Sequence, residues 1–407
     1  MKTNHRIHLC LAKMSDTGME QKYIQEAFDS NWVAPLGPNV DAFEEALARH
    51  FDRSGMKGNG AEKSHSIEGD FSTPLRFARN DVYVAAVSSC TAAIHLALLL
   101  LGVGKDDEVL CQSFSFCASS NPVVYCGAKP VFIDSEEETW NMSPELLETA
   151  IKDRIAKTGR KPKAIIVVDL YGMPAKWDEI TAVSRKYDIP VIEDAANALG
   201  SYYKGKPCGT FGDLATLSFN GNKIITTSGG GALVCKDLET KKRAIFLATQ
   251  AKEPYLHYEH ETIGYNYRMS NISAGIGRGQ MTVLDKHIAH HKHVHQLYTE
   301  LLGDIVKGNF NNDFDSNFWL TTILFKQPLD TEVFCLDLDK SGIEARPLWK
   351  PMHLQPVYKD APAYTNGISE KLYKTGICLP SGPWVTDEDV RYIVETIHTL
   401  YTQNSQL

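Results

Sequence analysis

Short apolar runs that alternate with helical stretches constrain the fold of this chain more than any other feature. Between residues 82 and 220 these runs are VYVAAVS, EVLCQSFSF, KPVFID, AIIVVDLYG, IPVIEDAA and LATLSFN. Segments such as PELLETAIKDRI and KWDEITAVSRKY lie between several of them and carry apolar residues at helical spacing. Strands that alternate with helices form a mainly parallel sheet with both faces covered. The sequence therefore predicts an α/β fold.

The length of the chain indicates more than one structural unit. A chain of 407 residues is longer than a single simple core usually spans. We predict an N-terminal segment plus a large α/β domain over residues 1–285, then a linking helix and a small C-terminal α/β domain over residues 286–407. A segment rich in Gly, Ser and charged residues, at about 52–80, predicts a surface insertion. The runs FWLTTILFK and GICLPSG predict strands of the small domain, and TDEDVRYIVETIHTLYTQ predicts a closing helix.

Composition excludes several classes of protein. Apolar residues make up 43% of the chain and charged residues 23%, which is typical of a soluble globular protein. A net charge of −8 and the lack of a Lys/Arg-rich run argue against a nucleic-acid partner. The chain has neither an apolar run of membrane-spanning length nor the apolar core of a signal peptide, so no membrane partner is expected. Nine cysteines scattered singly are typical of buried thiols in a reducing compartment, so we expect a cytoplasmic protein.

A cluster of histidines, in HIAHHKHVHQ, raises the question of a metal site. The cluster falls on a predicted charged helix and does not have the usual zinc-ligand spacings. We therefore predict a solvated helix face there and assign no metal ligands.

Two residues point to a specific cofactor. Lys223 lies between a strand-like run and a glycine-rich turn, where a partly dry pocket could leave its amine free to form an imine with an aldehyde. Asp194 ends the run IPVIEDAA, and the carboxyl end of a parallel strand is where open α/β sheets bind ligands. A lysine for the aldehyde and an aspartate for the pyridinium are the groups that pyridoxal 5′-phosphate requires. The alternatives are an exposed lysine in a surface turn and an N-cap aspartate.

Further candidates lie at neighbouring strand ends. The first turn of the helix in SCTAAIHLALLLLG offers Cys90 and Thr91, and helix amino termini bind phosphate. Ser218 could reach a phosphate oxygen, and Phe116 could lie flat against an aromatic ring. The alternatives are ordinary helix capping and a core phenylalanine.

Six motifs in a fixed order resemble a known family. They are SCTAA, SFSF, IEDAA, SFNGNKIITTSGGG, GYNYRMSN and ARPLWKPMH. Together they resemble the DegT/DnrJ/EryC1/StrS sugar aminotransferases over nearly the whole chain outside residues 52–80. Four segments look most like the branch that aminates a UDP-4-keto-6-deoxy-N-acetylglucosamine on the way to N-acetylbacillosamine, namely NWVAPLGPNV, NGNKIITTSGGG, HYEH and RPLWKPMH. The resemblance implies fold type I of the pyridoxal-phosphate-dependent transferases, the aspartate aminotransferase-like fold.

The resemblance also implies roles for individual residues. Lys223 would bond covalently to the cofactor, Asp194 would pair with its ring nitrogen and Phe116 would stack on its ring. Cys90, Thr91 and Ser218 would hold the phosphate, Cys90 through its backbone. Asn266 would reach the phosphate of the neighbouring subunit, which implies a homodimer with shared active sites.

Substrate contacts and two departures from the family pattern follow from the same resemblance. Arg346, His353 and Lys350 match a stretch that lies near the nucleotide-sugar in the family. Asn197 stands near the cofactor hydroxyl, where many relatives carry Gln, His or Glu. Phe318 stands where relatives often have Arg, a change that could alter substrate contacts.

The reaction expected from these parts is a transamination in bacterial glycan and nucleotide-sugar biosynthesis. The amino group would pass from an amino acid, expected to be L-glutamate, to the C4 ketone of a UDP-linked 4-keto-6-deoxy-N-acetylhexosamine. Another ketosugar, amination at C3 and a non-catalytic cofactor-binding regulator are the alternatives. Some relatives carry histidine in place of the lysine and dehydrate a sugar instead, and Lys223 argues against that activity.

Overall fold

The computed structural model describes residues 6–54, 82–307, 313–326 and 329–404. The predicted insertion at about 52–80 falls largely outside these residues, and its first three positions, 52–54, belong to the last turn of a helix. The division of the chain at residue 285 stays a prediction.

The described ranges contain fifteen strands and twelve α-helices. The strands are β1 Tyr83–Val87, β2 Glu108–Gln112, β3 Lys129–Ile133, β4 Ala164–Val168, β5 Val191–Asp194, β6 Tyr202–Tyr203, β7 Lys206–Pro207, β8 Leu214–Ser218, β9 Gly231–Cys235, β10 Val306–Lys307, β11 Phe314–Asp315, β12 Thr321–Leu324, β13 Arg346–Pro347, β14 Ala363–Tyr364 and β15 Gly376–Leu379. The helices are α1 Met19–Asp29, α2 Pro38–Ser54, α3 Cys90–Leu100, α4 Asn121–Tyr125, α5 Pro144–Thr158, α6 Trp177–Tyr187, α7 Leu238–Ala248, α8 Asn271–Met281, α9 Leu284–Leu302, α10 Thr331–Lys340, α11 Ile368–Thr375 and α12 Asp387–Asn404.

The largest sheet has eight strands in the order β1-β9-β8-β5-β4-β2-β3-β14. Every pair from β8 to β14 is parallel, whereas β9 runs antiparallel to both of its neighbours. The six apolar runs identified in the sequence are all strands of this sheet, which confirms the predicted α/β fold. Strand β9 was not predicted, because it begins at the last of three consecutive glycines that indicate only a turn.

Helices cover both faces of the sheet, because successive buried side chains of a strand point to opposite faces and each face needs apolar partners. In β4, Ile166 packs into one apolar cluster with α3 and α7, while Ile165 and Val167 pack into another with α5 and α6. All five residues of β4 are buried, as expected for a parallel strand in the middle of a covered sheet.

The C-terminal part of the chain forms a second sheet with the strand order β10-β12-β15-β13. Strands β12 and β15 and the closing helix α12 confirm the elements predicted there. The first described residues pack on this part of the molecule, because Ile7 pairs with Ile343 and belongs to the same apolar cluster. Among the described residues no helix is long and apolar enough to cross a membrane.

The histidine-rich helix α9 corrects one prediction. His287, His291 and His295 are four residues apart, so they share one face of the helix, and all three are buried. That face packs toward the interior: His287 Nδ1 lies 3.0 Å from the carbonyl oxygen of Ile224, and the His295 ring stacks on Phe318 at 3.7 Å. The prediction of a solvated face is therefore wrong for these three residues. The charged residues of α9 lie on its other face, so the helix is solvated on one side and buried on the other.

Candidate active site

A cavity of about 390 Å³ lies at the carboxyl ends of the parallel strands. It forms there because β1, β2, β4, β5 and β8 all end at this edge, and the antiparallel β9 begins at it. The cavity brings together eight of the residues singled out in the sequence, namely Cys90, Thr91, Phe116, Asp194, Asn197, Ser218, Lys223 and Arg346.

Lys223 directs its amine into this cavity. Its Nζ donates a hydrogen bond of 2.5 Å to Asn197 Oδ1 and lies 3.9 Å from the ring centroid of Trp319. Burial lowers the pKa of the Lys223 amine to about 8, although the negative charge of Asp194 acts in the opposite direction. A useful fraction of the amine is therefore uncharged near neutral pH, which a nucleophilic lysine requires. The alternative of an ordinary surface lysine does not fit this geometry.

Asp194 is a buried carboxylate at the end of β5. Its Oδ2 accepts a hydrogen bond of 2.6 Å from the hydroxyl of Ser119, and its Oδ1 accepts one of 3.1 Å from the backbone N–H of Ala196. Burial raises the pKa of Asp194, while these two donors and Lys223 act to lower it. The residues that follow, 195–201, form turns, so Asp194 does not cap an α-helix.

The amino terminus of α3 faces the same cavity. The Ser89 hydroxyl caps the helix by accepting a hydrogen bond of 3.1 Å from the N–H of Ala92, and the first N–H groups of a helix have no acceptor within it. Gly231 permits this approach, because a Cβ there would lie 2.4 Å from the backbone nitrogen of Cys90. Ser218 pairs with Gly231 in register. The arrangement is suited to an anion, since helix dipoles favour negative charge at this end.

The Cys90 side chain lies between the anion-binding end of the cavity and the carboxylate. Its Sγ is 3.5 Å from Thr216 Oγ1 and 3.8 Å from Asp194 Oδ1. Burial raises the pKa of the Cys90 thiol well above its usual value, so the thiol stays protonated and can act only as a weak donor.

Three predicted site residues do not line the cavity. Asn266 is exposed on the surface of the chain. His353 is held by the main body of the molecule, with its Nδ1 2.6 Å from the hydroxyl of Ser113. Lys350 is partly buried, and its carbonyl oxygen accepts a hydrogen bond of 3.2 Å from the Gln355 side chain.

The cavity residues that were not predicted from the sequence include Ser119, Trp319 and Trp349. A signal existed for one of them, because Trp319 directly follows the position at which Phe318 departs from the family pattern. The Phe318 ring stacks on His295 outside the cavity, so the indole of Trp319 is the side chain that reaches Lys223. Ser119 and Trp349 gave no sequence signal, since each makes its contacts with residues distant in the chain.

The residues of the cavity fit pyridoxal 5′-phosphate. The amine of Lys223 matches its aldehyde, the buried carboxylate of Asp194 matches its ring nitrogen, and the amino terminus of α3 matches its phosphate. The exposed ring of Phe116 offers an apolar surface to an aromatic ring.

Known proteins that are similar to this chain belong to the same family that the sequence motifs indicated. Residues 52–398 match the DegT/DnrJ/EryC1/StrS aminotransferase family. EpsN of Bacillus subtilis (strain 168) is 46% identical over 403 residues, which cover 97% of this chain and 96% of that protein. A GDP-perosamine synthase of Escherichia coli O157:H7 is 35% identical over 387 residues, which cover 95% of this chain and 96% of that protein.

Solved structures share the fold. A DegT DnrJ EryC1 StrS aminotransferase from Brucella abortus has a TM-score of 0.81 and 27% identity, and the match covers 94% of this chain and 95% of that one. The family resemblance seen in the sequence is therefore confirmed by the whole chain and by its fold. The chain belongs to the DegT/DnrJ/EryC1/StrS family, and it is a pyridoxal-phosphate-dependent sugar aminotransferase.

Proposed function

We propose that this aminotransferase moves an amino group from L-glutamate to the C4 ketone of a UDP-linked 4-keto-6-deoxy-N-acetylhexosamine. The observation that carries the transamination is the Lys223 amine in the cavity, whose pKa burial lowers to about 8. The choice of sugar rests on the motifs of the UDP-sugar branch. It is supported by a Campylobacter jejuni relative named as a UDP-4-amino-4,6-dideoxy-N-acetyl-beta-L-altrosamine transaminase, 28% identical over 384 residues.

The central residues of the cavity divide the chemistry among them. When bound, the cofactor supplies the electron sink that stabilises negative charge at the carbon losing a proton. Lys223 Nζ takes up that proton from the Cα of the amino donor and returns a proton later in the cycle. Asp194 keeps the ring nitrogen of the cofactor protonated by placing a carboxylate beside it. Asn197 orients the amine through the hydrogen bond that it accepts from Nζ.

The phosphate and the oligomeric state are linked in this proposal. The Thr91 and Ser218 side chains and the backbone N–H of Cys90 hold the phosphate at the amino terminus of α3. Asn266, which is exposed on its own chain, completes the phosphate site of a second copy. The active protein is then a homodimer in which each site draws on both subunits.

The substrate enters from the side of Arg346. The Arg346 guanidinium donates a hydrogen bond of 2.8 Å to the Glu344 carboxylate. Arg346 also lines the cavity, where its side chain can rotate toward the diphosphate of the nucleotide-sugar. Lys350 lies on the same segment and adds positive charge. His353 contributes to substrate binding indirectly, because its contact with Ser113 fixes the position of this segment.

A GDP-linked ketosugar is the second candidate substrate. The observation that favours it is the 35% identity to a GDP-perosamine synthase over 95% of this chain. UDP-linked and GDP-linked ketosugars therefore need to be compared directly as substrates.

The test presents the purified, cofactor-loaded enzyme with L-glutamate and either a UDP-linked or a GDP-linked 4-keto-6-deoxy sugar. We expect mass spectrometry to detect the amino sugar with the UDP substrate, and NMR of the product to place the amine at C4. Lys223→Ala serves as the control and should form no product. Faster turnover of the GDP substrate would replace the first candidate by the second, and an amine at C3 would overturn the proposed position.

A further inference from the structure

The wall of the cavity contributed by the C-terminal part of the chain is aromatic. Trp349 follows β13 and lines the cavity that contains Lys223. Its indole lies 5.7 Å from the Phe116 ring and 6.1 Å from the Trp319 ring, at tilts of 51° and 56°. Phe116 keeps 56% of its surface exposed, so the two rings form an open apolar corner.

Trp349 is held in place from behind. Its backbone N–H donates a hydrogen bond of 2.9 Å to the hydroxyl of Tyr171, and its indole packs on the Tyr171 ring at 4.8 Å. Tyr171 is itself buried and has a φ of 54°, a left-handed conformation that an aromatic residue rarely adopts. Such backbone strain persists only where the surrounding structure enforces it, and it is concentrated at functional sites.

A second anchor fixes the same segment to the large sheet. The backbone N–H of Met352 donates a hydrogen bond of 2.7 Å to the carbonyl oxygen of Ser113, and the Ser113 hydroxyl contacts the His353 ring. Trp349 therefore lies between two fixed points, Tyr171 on one side and Ser113 on the other. A wall with so little freedom is suited to discriminate between ligands, because little ordering entropy is lost when a ligand binds.

The chemistry of this wall matches one of the two substrates. L-glutamate is small and carries two carboxylates and an ammonium group, so it offers an indole face little apolar surface, whereas a 6-deoxy hexose presents a methyl group and several ring C–H groups. We propose that Trp349 is a specificity-determining residue that packs on the C–H edge of the acceptor sugar, including its C6 methyl group. A 6-hydroxyl placed there would lose its hydrogen bonds to water without finding a partner. This inference rests on the proposed function for the nature of the acceptor, but not for the identity of its nucleotide.

The test separates the two halves of the reaction in Trp349→Ala and Trp349→Phe. Absorbance of the bound cofactor reports its conversion by L-glutamate, and the reverse change reports reaction with the ketosugar. In Trp349→Ala we expect the glutamate half-reaction to stay within about twofold of wild type, while KM for the 6-deoxy ketosugar rises about tenfold. The ratio of kcat/KM for the 6-deoxy ketosugar to kcat/KM for its 6-hydroxy counterpart should fall. Trp349→Phe should restore most of both properties.

Trp384→Ala is the matched control, because Trp384 is 59% exposed and does not line the cavity. An unchanged ketosugar KM in Trp349→Ala would overturn the inference. So would an equal loss in both half-reactions or an altered cofactor spectrum before any substrate is added, since either would show a structural or cofactor-binding role. The proposed function fails in a different way, through a wild-type enzyme that does not respond to glutamate or that aminates no 6-deoxy ketosugar.

Discussion

Among individual residues, the environment of Lys223 gives this lysine the properties that a nucleophilic amine requires. An ordinary lysine has a pKa near 10.5, so almost none of its amine is uncharged at pH 7. Burial lowers the pKa of Lys223 to about 8, and the hydrogen bond to Asn197 holds the amine in the cavity. With that pKa, about one amine in ten is uncharged at pH 7.

This pKa leads to a pH prediction. The rate at which the cofactor-free enzyme captures pyridoxal phosphate should rise with pH and reach half its maximum near pH 8, because only the uncharged amine of Lys223 reacts. Stopped-flow absorbance measures the rate. The same reaction with free N-acetyl-lysine corrects for titration of the cofactor itself. A midpoint near pH 10 or above would show that the folded protein does not lower this pKa.

A hydroxyl beside Asp194 allows a second prediction at this scale. Ser119 donates a hydrogen bond of 2.6 Å to the Asp194 carboxylate, and hydrogen bonds to charged groups contribute about 1.5 to 3 kcal/mol. Ser119→Ala should raise the pKa of Asp194 and weaken its pairing with the cofactor nitrogen. Fluorescence titration should then show cofactor affinity reduced by about tenfold or more. Unchanged affinity across pH 6 to 8 would contradict the role assigned to Ser119.

At the scale of elements, helix α9 carries three histidines that are buried uncharged. Burial lowers the pKa of all three, that of His291 to about 3 and that of His295 to about 4. Neither ring nitrogen of His291 has a hydrogen-bond partner among the described residues. In the unfolded chain these histidines would take up protons below pH 6.5, whereas in the folded protein they would not. The folded state should therefore lose stability as pH falls from about 6.5 toward 3.

Replacing His291 tests this acid sensitivity. Between pH 6.5 and 4, one such histidine should cost about 1.4 kcal/mol of stability for each pH unit, because only the unfolded state binds the proton. His291→Leu removes this proton-binding site, so urea unfolding should show a shallower decline of stability with acid. His398→Gln, at an exposed position of α12, is the control. Equal slopes in wild type and His291→Leu would contradict the prediction.

At the scale of the whole molecule, the first described residues connect the C-terminal sheet to the loop that carries the lysine. Ile7 pairs with Ile343 and is 3% exposed. The N–H of Ala12 donates a hydrogen bond of 3.1 Å to the carbonyl oxygen of Gly221, two residues before Lys223. This segment therefore belongs structurally to both parts of the molecule.

Truncating the buried end of that segment should destabilise the fold. Ile7→Ala removes a fully enclosed side chain, and such changes cost about 2 to 5 kcal/mol. Leu11→Ala is the matched control, because Leu11 is 46% exposed, and surface changes usually stay within about 0.5 kcal/mol. Calorimetry should show a clearly lower Tm for Ile7→Ala alone. Similar Tm values for the two variants would mean that this end of the chain contributes little.

The proposed dimer makes a prediction about mixtures. Lys223→Ala and Asn266→Ala damage the same site from different subunits, so a heterodimer contains one intact site and one with both changes. Equal amounts refolded together should recover up to about a quarter of wild-type activity, because half of the dimers are mixed. Activity no higher than the average of the two separate variants would rule out sites shared in this way.

The sequence predicted six of the eight strands of the large sheet and most of the candidate residues at its ligand-binding edge. Short apolar runs were sufficient for the six strands, because burial on both faces demands them. Most of the eight candidates met in one cavity because parallel strands end at one edge of a sheet, whereas Arg346 reaches it from β13 of the C-terminal sheet. The prediction for the histidines of α9 was wrong because many charged neighbours suggested a solvated helix. Burial of one helix face depends on what packs there, and His295 meets Phe318 from a distant part of the chain.

The order of the α/β elements, the choice of Lys223 and Asp194 as candidate catalytic residues, and the family of the chain could all be inferred from the sequence alone. These depend on local patterns and on residue types in a fixed order. The lowered pKa of Lys223, the hydrogen bond from Ser119 to Asp194 and the position of Trp349 in the cavity wall all depend on how the chain packs. The physical reason is that desolvation, hydrogen bonding and ring packing act across a few ångströms, between residues that are scores of positions apart in the chain.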